Sequence, residues 1–313
     1  MLKTVIIKNF RSLRDINVPL RPLSVLIGPN DSGKSAFLGA LEYLTGRRNL
    51  DQLDPWRAQP IETVGMIGAL AGGKVTREGN TGYQWGRGHF PLLPLSLYQL
   101  PSSGVSMTSQ GYSDEGSPPE IDSSGNGIPA LLDHLLRRDR KRFFELVAAL
   151  RALINGLEEV EIATPNAGTR RVDLVIEQGF RIPADRTSVG LRLVLFFVAL
   201  AYHPSPAKLI LVEEPENGVH PKRLADVMRL LREITQGRHG AHSSQIVLTT
   251  HSPHLLDHVN LESDQVLVFR RNEDGSRSAE PADAERLKTF LDEFMLGEVW
   301  YNQGEAGLVK PTT

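Results

Sequence analysis

The stretch LSVLIGPNDSGKSAFLGALEYL, Leu23 to Leu44, decides how the rest of the chain is read. Leu23 to Ile27 is short and apolar, as a buried strand is. Gly28 to Ser35 fits the pattern glycine, any four residues, glycine, lysine, then serine or threonine. Ala36, Phe37, Leu38, Ala40, Leu41 and Leu44 continue with apolar groups at helical spacing, so a helix leaves the loop. Backbone N–H groups hold a polyphosphate only where the chain wraps closely, and Gly28 and Gly33 permit the wrap. A helix starting near Lys34 turns its unpaired N–H groups and positive dipole end toward the anion. The expected nucleotide contacts are Gly28, Pro29, Asn30, Asp31, Ser32, Gly33, Lys34, Ser35 and Ala36. Lys34 would reach the β- and γ-phosphates of ATP, and the Ser35 hydroxyl would ligate Mg2+.

A second informative stretch is LILVEEPENGVHP, Leu209 to Pro221. An apolar strand that delivers two adjacent carboxylates suits a magnesium nucleotide. Glu213 is assigned to the metal and Glu214 to polarising a water in line with the γ-phosphate. The other reading is a solvated strand-end turn. His251 closes the next strand, after IVLTT, where it can donate to the γ-phosphate or orient the water. A capping or core-edge histidine is the alternative, with His242, His254 and His258 nearby. Lys34, Glu214 and His251 form the expected catalytic set.

Bulk properties narrow the class. At 313 residues with 40% hydrophobic content, the chain can bury a large core. It has no cysteine, which excludes disulfides, thiol catalysis and cysteine metal sites. Leu191 to Ala201 is its most apolar run and is too short to span a bilayer. The start lacks the basic-then-apolar layout of a signal peptide. A cytoplasmic protein without membrane insertion is expected. A formal charge of −2 gives no global nucleic-acid footprint. The local run Arg137-Arg138-Asp139-Arg140-Lys141-Arg142 suits either a DNA contact or a solvated helix surface.

Along the chain, Leu2 to Lys8 and Ile16 to Leu20 read as a hairpin before the strand at Leu23. That implies a mixed sheet around a parallel core. Gly46 to Gly127 is turn-rich, with short strands at Ile61 to Ala69, Thr81 to Trp85 and Leu95 to Leu100. Pro101 to Gly127 reads as a long surface loop or partly disordered segment. Helices follow at Ile128 to Leu136 and Arg140 to Leu153, then a hairpin of Val160 to Ala163 and Arg171 to Glu177. Ser188 to Tyr202 is a helix apolar on most sides, capped by Ser188 or Thr187. Lys208 to Val212, Gln245 to Thr249 and Gln265 to Phe269 are strands. Pro221 to Thr235, Pro253 to Val259 and Asp283 to Phe294 are helices. The tail from Trp300 is read as packed at its aromatic end and frayed at Pro311 to Thr313.

These strand ends together resemble the ABC-type ATPase heads of the SMC and RecF-like group. They look most like stand-alone ATPases related to the overcoming-lysogenization-defect (OLD) nucleases. IIKNFRSLRDINVPL, Ile6 to Leu20, is similar to that group's first hairpin, and Arg11 matches an arginine near the nucleotide phosphates. Pro215 to Pro221 resembles its dimer-contact segment, and THSPHLLD, Thr250 to Asp257, its switch-histidine segment. Thr187-Ser188-Val189-Gly190-Leu191-Arg192 resembles a shortened signature motif. There Ser188 and Gly190 would cover the γ-phosphate bound to the other subunit; read alone, the stretch is an ordinary helix cap. MLGEVWYNQG, Met295 to Gly304, also fits the group. The resemblance spans residues 1–50 and 120–305.

It implies an α/β P-loop NTPase fold with ABC ATPase-head topology: a mixed, mostly parallel sheet, N-terminal antiparallel strands and a helical lid. One domain over 1–313 would carry a variable insert at 46–127 and a lid at 128–157. It further implies ATP hydrolysis in a homodimer, linked to DNA repair or antiphage defence. DNA and a separately encoded nuclease or toxin effector are the implied partners. A regulatory switch without DNA and a transporter-like subunit are the rival readings. Glu213 departs from the aspartate usual in many ABC proteins. Gln59 and Gln99 are candidates for the family's lid glutamine, which the sequence does not place. No room is expected for the nuclease domain of the larger relatives.

Overall fold

The computed structural model describes residues 1–45, 54, 62–67, 73–78, 82–86, 94–112, 117–240 and 242–310. In chain order its elements begin with β1 (Leu2–Phe10), β2 (Leu13–Pro19), β3 (Leu23–Ile27), α1 (Lys34–Leu44), β4 (Glu62–Ile67), β5 (Gly73–Glu78) and β6 (Gly82–Gly86). β7 (Leu95–Gln99), β8 (Thr108–Gln110), α2 (Ile128–Arg138), α3 (Arg140–Leu153), β9 (Leu157–Ala163), β10 (Thr169–Ile176), β11 (Phe180–Pro183) and α4 (Val189–Ala201) follow. The remainder is β12 (Leu209–Glu213), α5 (Leu224–Gln236), β13 (Gln245–Thr249), α6 (Pro253–Leu256), β14 (Gln265–Arg271), β15 (Arg277–Pro281), α7 (Ala284–Leu291) and α8 (Leu296–Leu308). The chain divides into two compact units. The first is Met1–Leu95, Ala207–Glu214 and Ser244–Thr313; the second is Ser96–Pro206 and Pro215–Ser243.

In the first unit the strands bond in the order β6-β5-β4-β1-β2-β15-β14-β3-β13-β12. β14, β3, β13 and β12 run parallel to one another, β14 pairs antiparallel with β15, and β1 pairs antiparallel with both β2 and β4. Every residue of β3 and β13 is buried, as expected of central parallel strands covered on both faces. This is the mixed sheet that the sequence implies. Phe37 of α1 meets Phe269 of β14 edge-to-face at 5.6 Å between centroids, fixing the helix on the sheet. Gln245, buried at the start of β13, ties the chain's beginning to the core. Its Nε2 donates to the Leu2 carbonyl at 2.7 Å and the Arg21 carbonyl at 3.1 Å, while Oε1 accepts from the Leu2 N–H at 2.7 Å.

In the second unit β10 is the central strand, antiparallel to β9, β8 and β11. Leu193 to Ala201 of α4 is buried without a break, so the near-continuous apolar run is core. Asp133 is held between Arg137 at 3.0 Å and Arg170 at 2.9 Å, and Arg171 forms a fork on buried Asp173.

Three expectations need correction. Pro101 to Gly127 is not simply a surface loop: it contains β8, and Val105 and Met107 are fully buried. Its Ser and Gly content serves tight turns. Asp122, for example, accepts from the N–H groups of Ser124 and Asn126. Strands β5, β11 and β15 were not expected, because polar residues hide their alternation. The tail beyond Met295 is a helix, α8, where Gly297, Gly304 and Gly307 argue against one on propensity. Glu298 caps its start by accepting from the Met295 N–H at 2.9 Å, and Gly304 (φ 64°) kinks it. Pro311 to Thr313 lie outside the described residues.

Gln245→Ala would strip partners from three backbone groups at the chain's start. Each buried polar group left unmade costs on the order of 1–3 kcal/mol, so urea unfolding should show about 2–4 kcal/mol lost at unchanged m-value. A loss below about 0.5 kcal/mol would mean that water replaces the amide.

Candidate active site

The end of β3, the β1–β2 turn and the ends of β12 and β13 surround a cleft of about 640 Å³, within the range of small-ligand sites. Arg11 and Ser12 line it from the turn. Residues 30–36 contribute the loop and first helical turn, and Glu214, Thr249 and His251 the strand ends.

The loop's shape follows from its glycines. Gly28 has φ 139°, and a Cβ there would stand 2.3 Å from the Phe269 carbonyl oxygen, so no side chain fits. Gly33 (φ 102°) is the N-cap of α1. Between them the Ser32 N–H donates to the Pro29 carbonyl at 3.2 Å. Lys34 is buried, and its ammonium donates to the carbonyls of Gly28 at 2.8 Å and Pro29 at 3.0 Å. These two residues thus stand behind the cleft and hold the lysine, while Asn30, Asp31, Ser32, Gly33, Lys34, Ser35 and Ala36 face it. The Ser32 hydroxyl is buried with no protein partner, as suits a group that meets a polar ligand.

Glu214 follows β12 with φ 45°, a left-handed conformation unusual for glutamate. Its N–H donates to the Thr249 carbonyl at 3.0 Å and hydroxyl at 3.3 Å, which over-determines the turn. Glu214 lines the cleft. Glu213, in strand register with Thr249, is half-buried and does not line it. The His251 Nε2 lies 3.6 Å from the Glu214 Oε1. Burial, and secondly the Lys34 ammonium, hold the His251 pKa below the ordinary histidine value against the opposing pull of Glu214. Its ring is therefore neutral at pH 7.

Arg11 (φ 51°) is clamped to buried Asp54, side chain to side chain at 2.9 Å, with its guanidinium 5.6 Å from the Phe10 ring centre. Ser188 and Gly190 belong to the second unit and do not line the cleft. The Ser188 hydroxyl caps α4 by accepting from the Leu191 N–H at 3.3 Å, and a Cβ on Gly190 would meet the Gly218 carbonyl at 3.0 Å. Gln99 ends β7, and its N–H donates to the Ser123 carbonyl at 2.8 Å; Gln59 lies outside the described residues.

Ser12, Thr249 and Arg277 were not expected at the loop. Arg277, at the start of β15, bonds Asp31 through both side chain and backbone. No local signal marks it, because 246 residues separate the partners. Among the described residues, no cluster of three or more histidine, aspartate or glutamate side chains could hold a metal. Ser35 lines the cleft, and a hydroxyl oxygen is a donor of the kind that suits a magnesium ion keeping most of its ligands from phosphate and water.

The His251 environment predicts a signed response in NMR-monitored histidine titration. Its midpoint in the free protein should fall below about 6.5. Lys34→Met should raise it and Glu214→Gln lower it further. The folded ring binds its proton less tightly than the unfolded one. Its contribution to stability is therefore complete above the ordinary value and is lost as pH falls through it. A midpoint at or above 6.5 would refute this electrostatic picture.

Comparisons with known proteins bear on the fold and on two segments of the chain. Residues 1–67 match the family described as "AAA ATPase domain". Residues 115–257 match the one described as "AAA domain, putative AbiEii toxin, Type IV TA system". An OLD nuclease of Thermus scotoductus is 48% identical over 46 residues, which cover 15% of this chain and only 9% of that protein. Among solved structures, the SMC head domain from Thermotoga maritima superposes with a TM-score of 0.54 at 15% identity, covering 90% of this chain and 99% of the other. An Smc head bound to the C-winged helix domain of ScpA gives 0.62 at 13% identity, covering 91% and 98%. An Smc head with an extended coiled coil, bound to the C-terminal domain of ScpA derived from Pyrococcus furiosus, gives 0.58 at 13% identity, covering 93% and 98%. At these identities the likeness is one of fold. Among the described residues, no helix is long and apolar enough to cross a membrane. The chain has the fold of SMC heads, two of its segments are similar to AAA ATPase domains, and a short stretch is similar to an OLD nuclease.

Proposed function

We propose that the chain binds ATP with Mg2+ and hydrolyses it as a dimer of opposed heads, so that turnover switches an attached partner. One observation carries this reading: Lys34, Glu214 and His251 leave three adjacent parallel strands or their loops and meet in one cleft. Lys34 holds the β- and γ-phosphate oxygens, with the start of α1 aimed at the same charge. Glu214 accepts the proton of the attacking water as its oxygen bonds to the γ-phosphorus and the bond to the ADP oxygen breaks. Neutral His251 orients that water or donates to the γ-phosphate. Ser35 and Glu213 would hold Mg2+, which supplies charge neutralisation on the phosphate oxygens. Arg11 contributes positive charge beside the phosphates.

Ser188 and Gly190 serve the other subunit's nucleotide in this reading. A serine-capped helix of 13 residues with glycine in its first turn supplies unpaired N–H groups for an anion. A monomer would lack those donors, and closure of the pair would supply them. The helices α2 and α3 form the lid in this reading.

The matched family's description names a toxin of a type IV system, and two similar SMC heads are bound to ScpA. Both support a head that acts on a partner; the setting in this reading is DNA repair or antiphage defence. A second reading, a protein switch without DNA, draws on the basic run. Arg137 is paired with Asp133 and Arg142 with Asp139, which lowers the charge available to phosphates.

ATP hydrolysis measured against protein concentration, with and without linear duplex DNA, tests both. Turnover per chain should rise with concentration, and stimulation by DNA that fades steeply with salt would select the first reading. Lys34→Ala should abolish turnover. Glu214→Gln should keep ATP and accumulate dimer by light scattering, while Ser188→Arg should stop turnover yet leave ATP binding by the monomer intact. Concentration-independent turnover by a monomer would sink the dimer mechanism.

A further inference from the structure

Arg277 lies outside the cleft lining, yet it holds the nucleotide loop through two hydrogen bonds to Asp31. It is buried, at 6% exposure, at the start of β15. Its backbone N–H donates to the Ser12 carbonyl at 2.8 Å, which fixes the residue beside the β1–β2 turn. Each guanidinium nitrogen is engaged. Nε donates to the Asp31 carbonyl at 2.5 Å, Nη2 to the Asp31 carboxylate at 2.7 Å, and Nη1 to the Gly275 carbonyl at 2.5 Å. The aliphatic stem lies against Gly33, where an added Cβ would stand 3.1 Å from Arg277 Cγ.

Three consequences converge on the loop's crest. Asp31 has φ 59°, a left-handed conformation that aspartate tolerates better than most residues but that is held in place here by its partners. The Asp31–Ser32 peptide is pinned at both ends, its carbonyl by Arg277 and its N–H by the Pro29 carbonyl. The Asp31 carboxylate, largely exposed at 82%, would otherwise present a bare negative charge in a cleft built for an anion. A buried arginine fork sets its orientation and offsets that charge.

We infer that Arg277 is a positioning residue for nucleotide binding. Acting through Asp31 and Gly33, it sets the phosphate loop in its binding conformation before the ligand arrives and masks the Asp31 carboxylate. The inference rests on the nucleotide reading above and adds a residue that its chemistry does not use.

The test is equilibrium binding of a fluorescent ATP analogue with Mg2+ to the full chain, with Lys34→Ala as the control for site-specific binding. Arg277→Met keeps the stem over Gly33 and removes every donor. Its Kd should rise roughly tenfold to a hundredfold, the range expected for lost hydrogen bonds to charged groups. Arg277→Lys, which keeps the charge without the fork, should fall between it and the wild type. A merely structural role would not make the defect respond to salt. Here the Kd ratio of Arg277→Met to wild type should shrink as NaCl rises from about 0.05 to 0.5 M, because salt screens the unmasked carboxylate. Adding Asp31→Asn to Arg277→Met should recover part of the affinity and abolish that salt trend. Arg277→Met or Arg277→Lys, folded by circular dichroism, with wild-type affinity would overturn the inference while leaving the nucleotide site standing. A salt-independent ratio unaffected by Asp31→Asn would overturn the masking role. No binding by the wild type would remove the nucleotide reading and this inference together.

Discussion

A lysine ammonium bonded to two carbonyls of its own loop is the interaction on which this structure turns. Lys34 is buried, and a buried ammonium must find oxygen partners or lose its charge. It finds Gly28 and Pro29, and can do so only because Gly28 carries no side chain where the Phe269 carbonyl passes. The bond closes the loop into a ring with the charge at its head and the start of α1 beneath it. An incoming phosphate therefore meets charge, dipole and loop already arranged, so little ordering is left to oppose binding.

That arrangement has value only if the other groups arrive at the same height, and strand register ensures it. Leu26 pairs with Thr249 across β3 and β13, and Thr249 pairs with Glu213 across β13 and β12, so the three strands end level. Glu214 is the next residue. Its left-handed backbone comes just before Pro215, whose ring further limits the residue ahead of it. Hydrogen bonds from its N–H to the Thr249 carbonyl and hydroxyl hold it there. The unusual conformation breaks strand alternation at the point where a carboxylate has to face the cleft. Local strain, set by sheet register, thus decides which of two adjacent glutamates lines the cleft.

How much of this the sequence revealed depended on whether a feature was local. The β3–loop–α1 unit was legible because its glycines, lysine and helix lie within 22 consecutive residues, and the Glu213-Glu214 pair because it directly ends an apolar strand. β15 was not, since RNEDGSRS reads as a polar turn and its contacts with β2 and Asp31 are remote in sequence. α8 was obscured by three glycines, and only its tertiary setting overrides their poor propensity. Asp54 shows the same limit. It sits among turn residues, yet it is fully buried and orients Arg11.

The charges in the cleft fit a site built for an anion and balanced without one. Glu214 and Asp31 bring negative charge to a pocket that also holds Lys34 and Arg11. Each is tied to something: Asp31 to Arg277, Arg11 to Asp54, Lys34 to loop carbonyls, and Glu214 near a neutral imidazole. His251 senses this balance most directly, because Lys34 and Glu214 pull its proton affinity in opposite directions. A triphosphate beside Lys34 would offset the lysine's field and raise the proton affinity of the ring. Ligand binding and histidine protonation are thereby coupled through a single cation. The same lysine that shapes the loop also adds to burial in lowering the proton affinity of the residue proposed to act on the γ-phosphate.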